Sequence, residues 1–299
     1  MSRPKPTDWD PASQDVLDDQ IAAYDAMRCD AMRNRCPIAH SDFLRWSVFR
    51  HADVVRILQD HETFSNAASN HLSIPNAMDP PEHTGYRSII ECYFTVQRMT
   101  EFEPVCQAIA DALVSDLPRG ECFELMAGFA QPFALRIQCA FMGWPDILHE
   151  PLRQWIDKNH RATRAGDRSA MAQIAVEFDG YIKQQLTVRR DAGEQAPDDV
   201  TSRLVRERIN GRPLSDEEIV SIIRNWTVGE LGTIAASVGI LVHYLAANSA
   251  LQAKLRRQSG DLAAAIDEIL RIHAPLITNR RAPPPRSKSV DASSTRASA

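Results

Sequence analysis

Apolar residues recur every three or four positions along most of the chain, which is the period of an amphipathic helix. The clearest such stretches are residues 101–116, 121–142 and 171–190. Residues 46–60, WSVFRHADVVRILQD, instead begin with a short aromatic and β-branched run before helical spacing takes over. That segment predicts a strand, a turn and a helix, and the chain as a whole predicts a mainly α fold.

One helix longer than the others is predicted to begin after Ser215. Ser215 followed by Glu218 is a capping-box pattern, in which each side chain bonds a backbone N–H left open in the first turn. The apolar face continues to about Ala247, a length of roughly 48 Å at 1.5 Å per residue. A last helix is predicted after a polar break, capped by Asp261 and ending before Pro275.

Three glycines, Gly229, Gly232 and Gly239, lie inside the long predicted helix. Each costs up to about 1 kcal/mol relative to alanine, because glycine loses more backbone freedom than any other residue when it becomes helical. A packing or functional reason is therefore expected at these positions. Close approach of a flat cofactor is one such reason.

Composition limits the classes of protein that the chain can belong to. Its 299 residues, 44% of them hydrophobic, suffice for one large domain or two small ones. The net charge of −5 is spread along the chain and argues against nucleic acid as a partner, which usually needs a concentrated basic face. No uninterrupted apolar run approaches the roughly 18 residues of a membrane span, and the N-terminus has no apolar signal core. We expect a cytoplasmic protein without a membrane partner.

The six cysteines show no metal-ligand spacing and are expected to be reduced core thiols; they are Cys29, Cys36, Cys92, Cys106, Cys122 and Cys139. Three other stretches carry more information: MDPPEHTGYR (78–87), GELGT (229–233) and DEILRIHAP (267–275). As bare patterns they are weak, because similar His/Arg and Glu/Arg spacings occur elsewhere in the chain. Their order and their flanking residues agree at all three places.

Together these stretches resemble the haem-thiolate monooxygenases, the cytochrome P450 superfamily, over about residues 36–282. The likeness is particularly close to the self-sufficient bacterial members, whose haem domain is fused to a flavin and iron–sulfur reductase. The resemblance implies a P450-like helical fold with a small β portion, incomplete at the C-terminus. It divides the chain into a partial haem domain, residues 1–282, and a disordered tail outside the family, residues 283–299.

The resemblance also implies roles for charged residues. His83 and Arg87, one helical turn apart, would bind a haem propionate together with Arg280, and Arg281 is an alternative to Arg280. A solvated helix face is the competing interpretation of the His83/Arg87 pair. Glu268 and Arg271 would form a structural pair, which we expect to be left with an incompletely satisfied charge network when the segment that it braces is absent.

On the long helix the resemblance implies that Thr233 and Glu230 relay protons to iron-bound dioxygen. The commoner family pattern has the acid immediately before the threonine, and here Gly232 occupies that position. Glu230 is therefore a displaced acid whose role is open. The competing interpretation of Thr233 is a helix threonine that bonds its own backbone carbonyl.

In the family, a cysteine thiolate downstream of the third stretch holds the haem iron. None of the six cysteines has the flanking residues of that loop, and Cys122 is expected to serve packing, so no metal ligand is assigned. The implied function is haem-dependent insertion of one oxygen atom from dioxygen into a small organic substrate, with electrons from a flavin and iron–sulfur reductase. We expect this chain to be inactive. The alternative is a non-catalytic remnant that binds only apolar ligands or a protein partner.

Overall fold

A computed structural model describes residues 9–33, 38–68 and 71–283. These residues are mainly helical and include two antiparallel two-stranded sheets, which confirms the mainly α fold with a small β portion. The chain divides into two compact units, one made of Met1–Asn70 with Arg280–Ala299 and one made of His71–Asn279. Apart from Pro283, the predicted tail lies outside the described residues.

The described part of the smaller unit contains three helices and one hairpin: α1 Gln14–Asp18, α2 Gln20–Arg33, β1 Ile38–Ser41, β2 Arg45–Val48 and α3 His51–Gln59. In the hairpin Ile38 pairs with Val48 and Ser41 with Arg45. A small aromatic cluster lies at the centre of this unit, where the ring centroids of Trp9 and Phe49 are 5.2 Å apart. The strand, turn and helix predicted for residues 46–60 are confirmed.

The larger unit contains the remaining helices and a second short hairpin. In chain order these are α4 Glu82–Glu91, α5 Val96–Ser115, α6 Gln131–Met142, α7 His149–Ala165, α8 Arg168–Ala192, α9 Val200–Arg206, β3 Arg208–Ile209, β4 Arg212–Pro213, α10 Asp216–Ala247, α11 Ser249–Arg257 and α12 Leu262–Ile272. A π-helical turn, Met126–Ala130, leads into α6.

The core of this unit forms around the first half of α10. Ile219, Ile222 and Ile223 are fully buried there. They belong to the same cluster as Met142 of α6 and Phe178 of α8. Burial of side chains of this size is worth about 1.5–3 kcal/mol each, so this half of α10 is fixed by packing on several sides.

Capping was predicted correctly at one helix and wrongly at another. Ser215 accepts a hydrogen bond from the N–H of Glu218 at 3.3 Å, and the Glu218 carboxylate accepts one from the N–H of Ser215 at 2.7 Å, so the capping box is confirmed. Asp261 does precede α12, but its side chain makes no cap bond. The carboxylate lies 3.1 Å from the Lys254 ammonium instead, because an opposite charge within reach competes with a backbone N–H.

The cysteines were predicted only in part. The five described cysteines are free thiols, as expected, but only Cys139 is buried, and that burial raises its pKa to about 12. Cys29, Cys92 and Cys122 are exposed. The packing role expected of Cys122 is therefore wrong. Cys122 lies before the helical turn that begins near Met126, so it is not part of a helix.

Candidate functional site

The two halves of α10 differ sharply in burial. Up to Thr227 the helix is packed into the core, whereas beyond it only Leu231 and Ala235 are buried. The most apolar 18-residue window of α10 has a mean hydropathy of 1.4, and 11% of its residues are buried. By length and composition alone such a helix could cross a membrane, which is weak evidence because core helices pass the same test. Most other residues of this half are half-buried, and Ile234 and Val238 pack against the core. A largely apolar stretch that is only half covered is typical of a binding surface.

The glycines at the start of this half have no packing role among the described residues. A Cβ atom built at Gly229 or Gly232 would meet nothing within 4 Å. At Gly239, in contrast, the added Cβ would lie 2.6 Å from the Met126 sulfur, so close packing explains that glycine. The open space at Gly229 and Gly232 is a place where a flat group can approach the helix backbone, and the pair therefore fits a haem face.

Thr233 lies on the same open half and bonds its own helix. Its hydroxyl donates to the Gly229 carbonyl at 2.9 Å and lies 3.3 Å from the carbonyl of Glu230. This is the backbone-bonded geometry that the competing interpretation anticipated. The hydroxyl oxygen keeps its acceptor capacity in this arrangement.

Glu230 is the displaced acid of the predicted pair. Among the described residues no hydrogen bond joins its carboxyl group to Thr233, and no other partner of that group is found there. Desolvation by the apolar surroundings raises the pKa of the carboxyl group, although the residue as a whole is exposed. A carboxyl group in such a position keeps its proton to a higher pH than an ordinary glutamate.

The predicted propionate ligands of α4 lie one turn apart, as expected. His83 is half-buried and Arg87 is exposed. The Nε of Arg87 donates to the Glu91 carboxylate at 2.8 Å, and both side chains of this pair are more than half exposed. Exposed pairs of this kind contribute about 0–1 kcal/mol, so Arg87 can exchange Glu91 for another anion at little cost.

The arginines after α12 belong to the smaller unit. Arg280 is exposed and Arg281 half-buried, and a guanidinium nitrogen of Arg281 donates to the carbonyl of Arg280 at 2.8 Å. They precede Ala282, whose backbone pairs with Ser65 in an isolated bridge. Both arginines remain candidates for the propionate role.

Glu268 and Arg271 form the predicted pair on α12. Two parallel hydrogen bonds of 2.7 and 2.8 Å join the guanidinium to the carboxylate. The bond from Arg271 lowers the pKa of Glu268. Both side chains are largely exposed, so the expected incompletely satisfied charge network is wrong: the pair is satisfied and solvated.

A small cavity of about 110 Å³ opens beside Gly232, between α7 and α10. Its lining is mostly apolar, with Trp155 and Val228 among the contributors, and Asn159 and His160 supply polar groups. A few polar groups in an apolar wall are typical of sites for small organic molecules, but such sites usually measure about 300–1,000 Å³, so this cavity has room for only part of one. In the described part of the chain no cluster of three or more His, Cys, Asp or Glu side chains is arranged to hold a metal ion.

Sequence reasoning missed the polar contacts that join the lead-in to α4 onto α10. Ser221 and Asn225 of α10 bond residues 72–74, which precede α4 in the chain. Tyr86 of α4 donates to the Glu218 carboxylate. The available signal was the spacing of Glu218, Ser221 and Asn225, which puts three polar residues on one face of a largely buried part of the helix, since buried polar groups almost always have partners.

Comparison with known proteins identifies relatives by sequence. The erythromycin C-12 hydroxylase of Saccharopolyspora erythraea is 29% identical over 257 residues, covering 82% of this chain and 63% of that protein. The probable cytochrome P450 127A1 of Sinorhizobium fredii is 30% identical over 242 residues, covering 77% of this chain and 56% of that protein. The chain thus spans less than two thirds of the length of these curated relatives. No family model matches it.

Solved structures agree with these relatives. The open form of cytochrome P450 EryK from S. erythraea superposes with a TM-score of 0.74 at 27% identity, covering 86% of this chain and 66% of that one. Ligand-free cytochrome P450 TbtJ1 superposes with a TM-score of 0.72 at 28% identity, covering 84% and 66%. Sequence and fold therefore point to the same group of proteins.

Proposed function

For this chain, which belongs to the cytochrome P450 superfamily, we propose a part in haem-dependent monooxygenation of a small organic substrate. The observation that carries the proposal is the open, glycine-bearing half of α10. Most residues of this half are only half-buried, Val228 and Val242 are exposed, and Gly229 and Gly232 leave space that no described side chain fills. A haem lying against this face would account for both features.

The charged residues would hold the acidic edge of that haem. His83 and Arg87 lie on one helix, one turn apart, and Arg87 is bound only to an exposed glutamate that a propionate can replace. Arg280, or Arg281 in its place, would supply a further cation. Glu268 and Arg271 would not touch the cofactor, because their mutual bonds already satisfy both groups.

The bound haem would activate dioxygen, and this chain would supply the protons and the shape of the binding site. Thr233 would accept and pass on a proton through its hydroxyl oxygen while its own hydrogen bond to Gly229 holds it in place. Glu230, whose pKa is raised, would serve as a neutral acid one turn earlier. In a haem-loaded protein extended by a C-terminal segment that carries the family's cysteine ligand and supplied with reductant, Thr233→Ala should divert electrons into peroxide. Unchanged coupling would show that Thr233 has only a structural role in its helix.

The partners follow from the same chemistry. The reaction requires dioxygen, a small organic substrate and an electron donor, for which we propose a flavin and iron–sulfur reductase. The cavity beside Gly232 would receive part of the substrate. We place the protein in the cytoplasm, as an extension from its bacterial relatives.

Titration with haemin tests the cofactor part of this proposal. The chain should bind one equivalent of haemin, with a perturbed absorption spectrum and a clear end point. Non-saturating binding of several equivalents would indicate adsorption to apolar surface. That result would favour a chain that only binds apolar ligands.

A further inference from the structure

Three polar residues in the first half of α10 lie on one face of the helix: Glu218, Ser221 and Asn225. We call them the polar stripe. Ser221 is 1% exposed and Glu218 9% exposed, and Asn225 is half-buried. Spacings of three and four residues place the three side chains on one face of the helix. Polar groups so deep in a core need hydrogen-bond partners.

The lower part of the stripe binds the segment 72–74 through four hydrogen bonds. The Ser221 hydroxyl accepts from the N–H of Ile74 at 2.9 Å and donates to the carbonyl of Leu72 at 3.0 Å. The Asn225 amide donates to the carbonyl of Ile74 at 2.8 Å and accepts from the Ser73 hydroxyl at 3.0 Å. Ile74 itself is fully buried. Two side chains of one helix thus satisfy three backbone groups of this segment, the carbonyl of Leu72 and both the N–H and the carbonyl of Ile74.

The segment 72–74 is connected to α4 by a series of backbone hydrogen bonds. The N–H of Ala77 bonds the carbonyl of Ser73 at 2.7 Å, and the N–H of Met78 bonds that of Pro75 at 3.0 Å. The N–H of His83 then bonds the carbonyl of Asp79 at 3.0 Å. Displacement of Ile74 would therefore be passed on to His83.

A second connection joins α4 to the stripe directly. The Tyr86 hydroxyl donates to the Glu218 carboxylate, which Arg212 also binds with two hydrogen bonds of 2.6 and 2.8 Å. The stripe then runs on along the same face toward the open glycines. Gly229 and Gly232 follow Asn225 by four and seven residues, or about 6 and 10 Å along the helix axis.

We infer that Ser221 and Asn225 are positioning residues for the cofactor site: they hold the segment 72–74 on α10 and thereby fix the start of α4, which carries His83. The inference rests on the proposed function for what lies in that site. The anchoring itself does not depend on the proposed function.

Hydrogen–deuterium exchange of the haem-free chain tests the anchoring. In Ser221→Ala and Asn225→Leu, peptides covering residues 71–81 should exchange about tenfold faster, since a net hydrogen bond of ordinary strength is worth about that factor. Ser237→Ala is the matched control, because its hydroxyl bonds only a carbonyl of its own helix, that of Thr233, at 2.7 Å. Unchanged exchange of residues 71–81 in the stripe variants would overturn the inference.

Ser73→Ala provides a second test in case Ser221→Ala or Asn225→Leu prevents folding. It removes only the half-exposed partner of Asn225 and leaves α10 unchanged. The same peptides should exchange faster in this variant, by a smaller factor. Wild-type exchange in Ser73→Ala together with unfolded stripe variants would also overturn the inference.

Haemin release tests the positioning. Transfer of haemin from the loaded chain to excess apomyoglobin should be about tenfold faster in Ser221→Ala and Asn225→Leu than in Ser237→Ala, and Ser221→Thr, which keeps the hydroxyl, should restore the slow rate. Faster exchange with unchanged haemin release would overturn the positioning role. If the wild-type chain binds no haemin, the proposed function fails, and the exchange experiment alone decides the anchoring.

Discussion

Alanine at Gly229 and Gly232 should stabilise the haem-free chain and weaken its binding of haemin. Both glycines are helical, and a Cβ atom at either position meets nothing within 4 Å. Each replacement should therefore raise the free energy of unfolding by about 1 kcal/mol, the difference in helix propensity. For a domain of about 150–250 residues this raises the melting temperature by roughly 2–4 °C per substitution. If haem lies on this face, the added methyl groups occupy its space, and haemin affinity should fall about tenfold in the double variant.

Gly180→Ala is the matched control for these variants. Gly180 lies inside α8, and a Cβ atom there also meets nothing within 4 Å. It should give the same gain in stability without a change in haemin affinity. Thermal melts and haemin titrations of the three single variants and the double variant measure both quantities. A gain in stability with unchanged haemin affinity at Gly229 and Gly232 would refute the assignment of this face to a cofactor.

Three further predictions use the same chain. Arg87→Ala should change the free energy of unfolding by no more than about 0.5 kcal/mol, because the pair of Arg87 with Glu91 is exposed. The same variant should release haemin faster, and an unchanged rate of release in the apomyoglobin assay would show that Arg87 is not part of the site. The hydrogen bonds from Arg212 lower the pKa of Glu218 to about 2, below the unfolded value of about 4.3. Because the Arg212 side chain is 54% exposed and screened by solvent, this shift should contribute about 1 kcal/mol of stability, present above pH ~4.5 and lost as the pH falls toward 2. Acid unfolding of Glu218→Gln should lack this component, and an unaltered acid limb would contradict the assignment. The chain alone should bind a hydrophobic dye, because Val228 and Val242 are exposed and most other apolar side chains of residues 228–245 are only half-buried; the absence of dye binding would contradict this.

The parts of the fold that the sequence predicts are those decided within one or two helical turns. Ser215 and Glu218 satisfy each other across three residues, so their capping box was readable, as were the ends of α10 and the pairing of Glu268 with Arg271. Asp261 was misread because Lys254 competes for its carboxylate. Which of two nearby partners a side chain binds depends on three-dimensional geometry, and the spacing of residues in the sequence does not specify that geometry.

The contacts that join distant segments were not predicted. Ser221 and Ile74 are 147 residues apart in the chain, so no local pattern connects them. The open half of α10 was equally hidden, because its apolar face looks the same whether side chains or a cofactor cover it. The glycines pointed to this face, and only the structure separated Gly239, which packs against Met126, from the two that pack against nothing.

The most direct test of the account is to locate haemin on the chain by hydrogen–deuterium exchange with and without one equivalent of haemin. The account predicts slower exchange in residues 228–245 of α10 and in residues 83–91 of α4, with the buried half of α10 and all of α8 unchanged. Stoichiometric haemin binding that leaves residues 228–245 unprotected, or that protects only other segments, would contradict the claim that this open glycine-bearing face is the cofactor site.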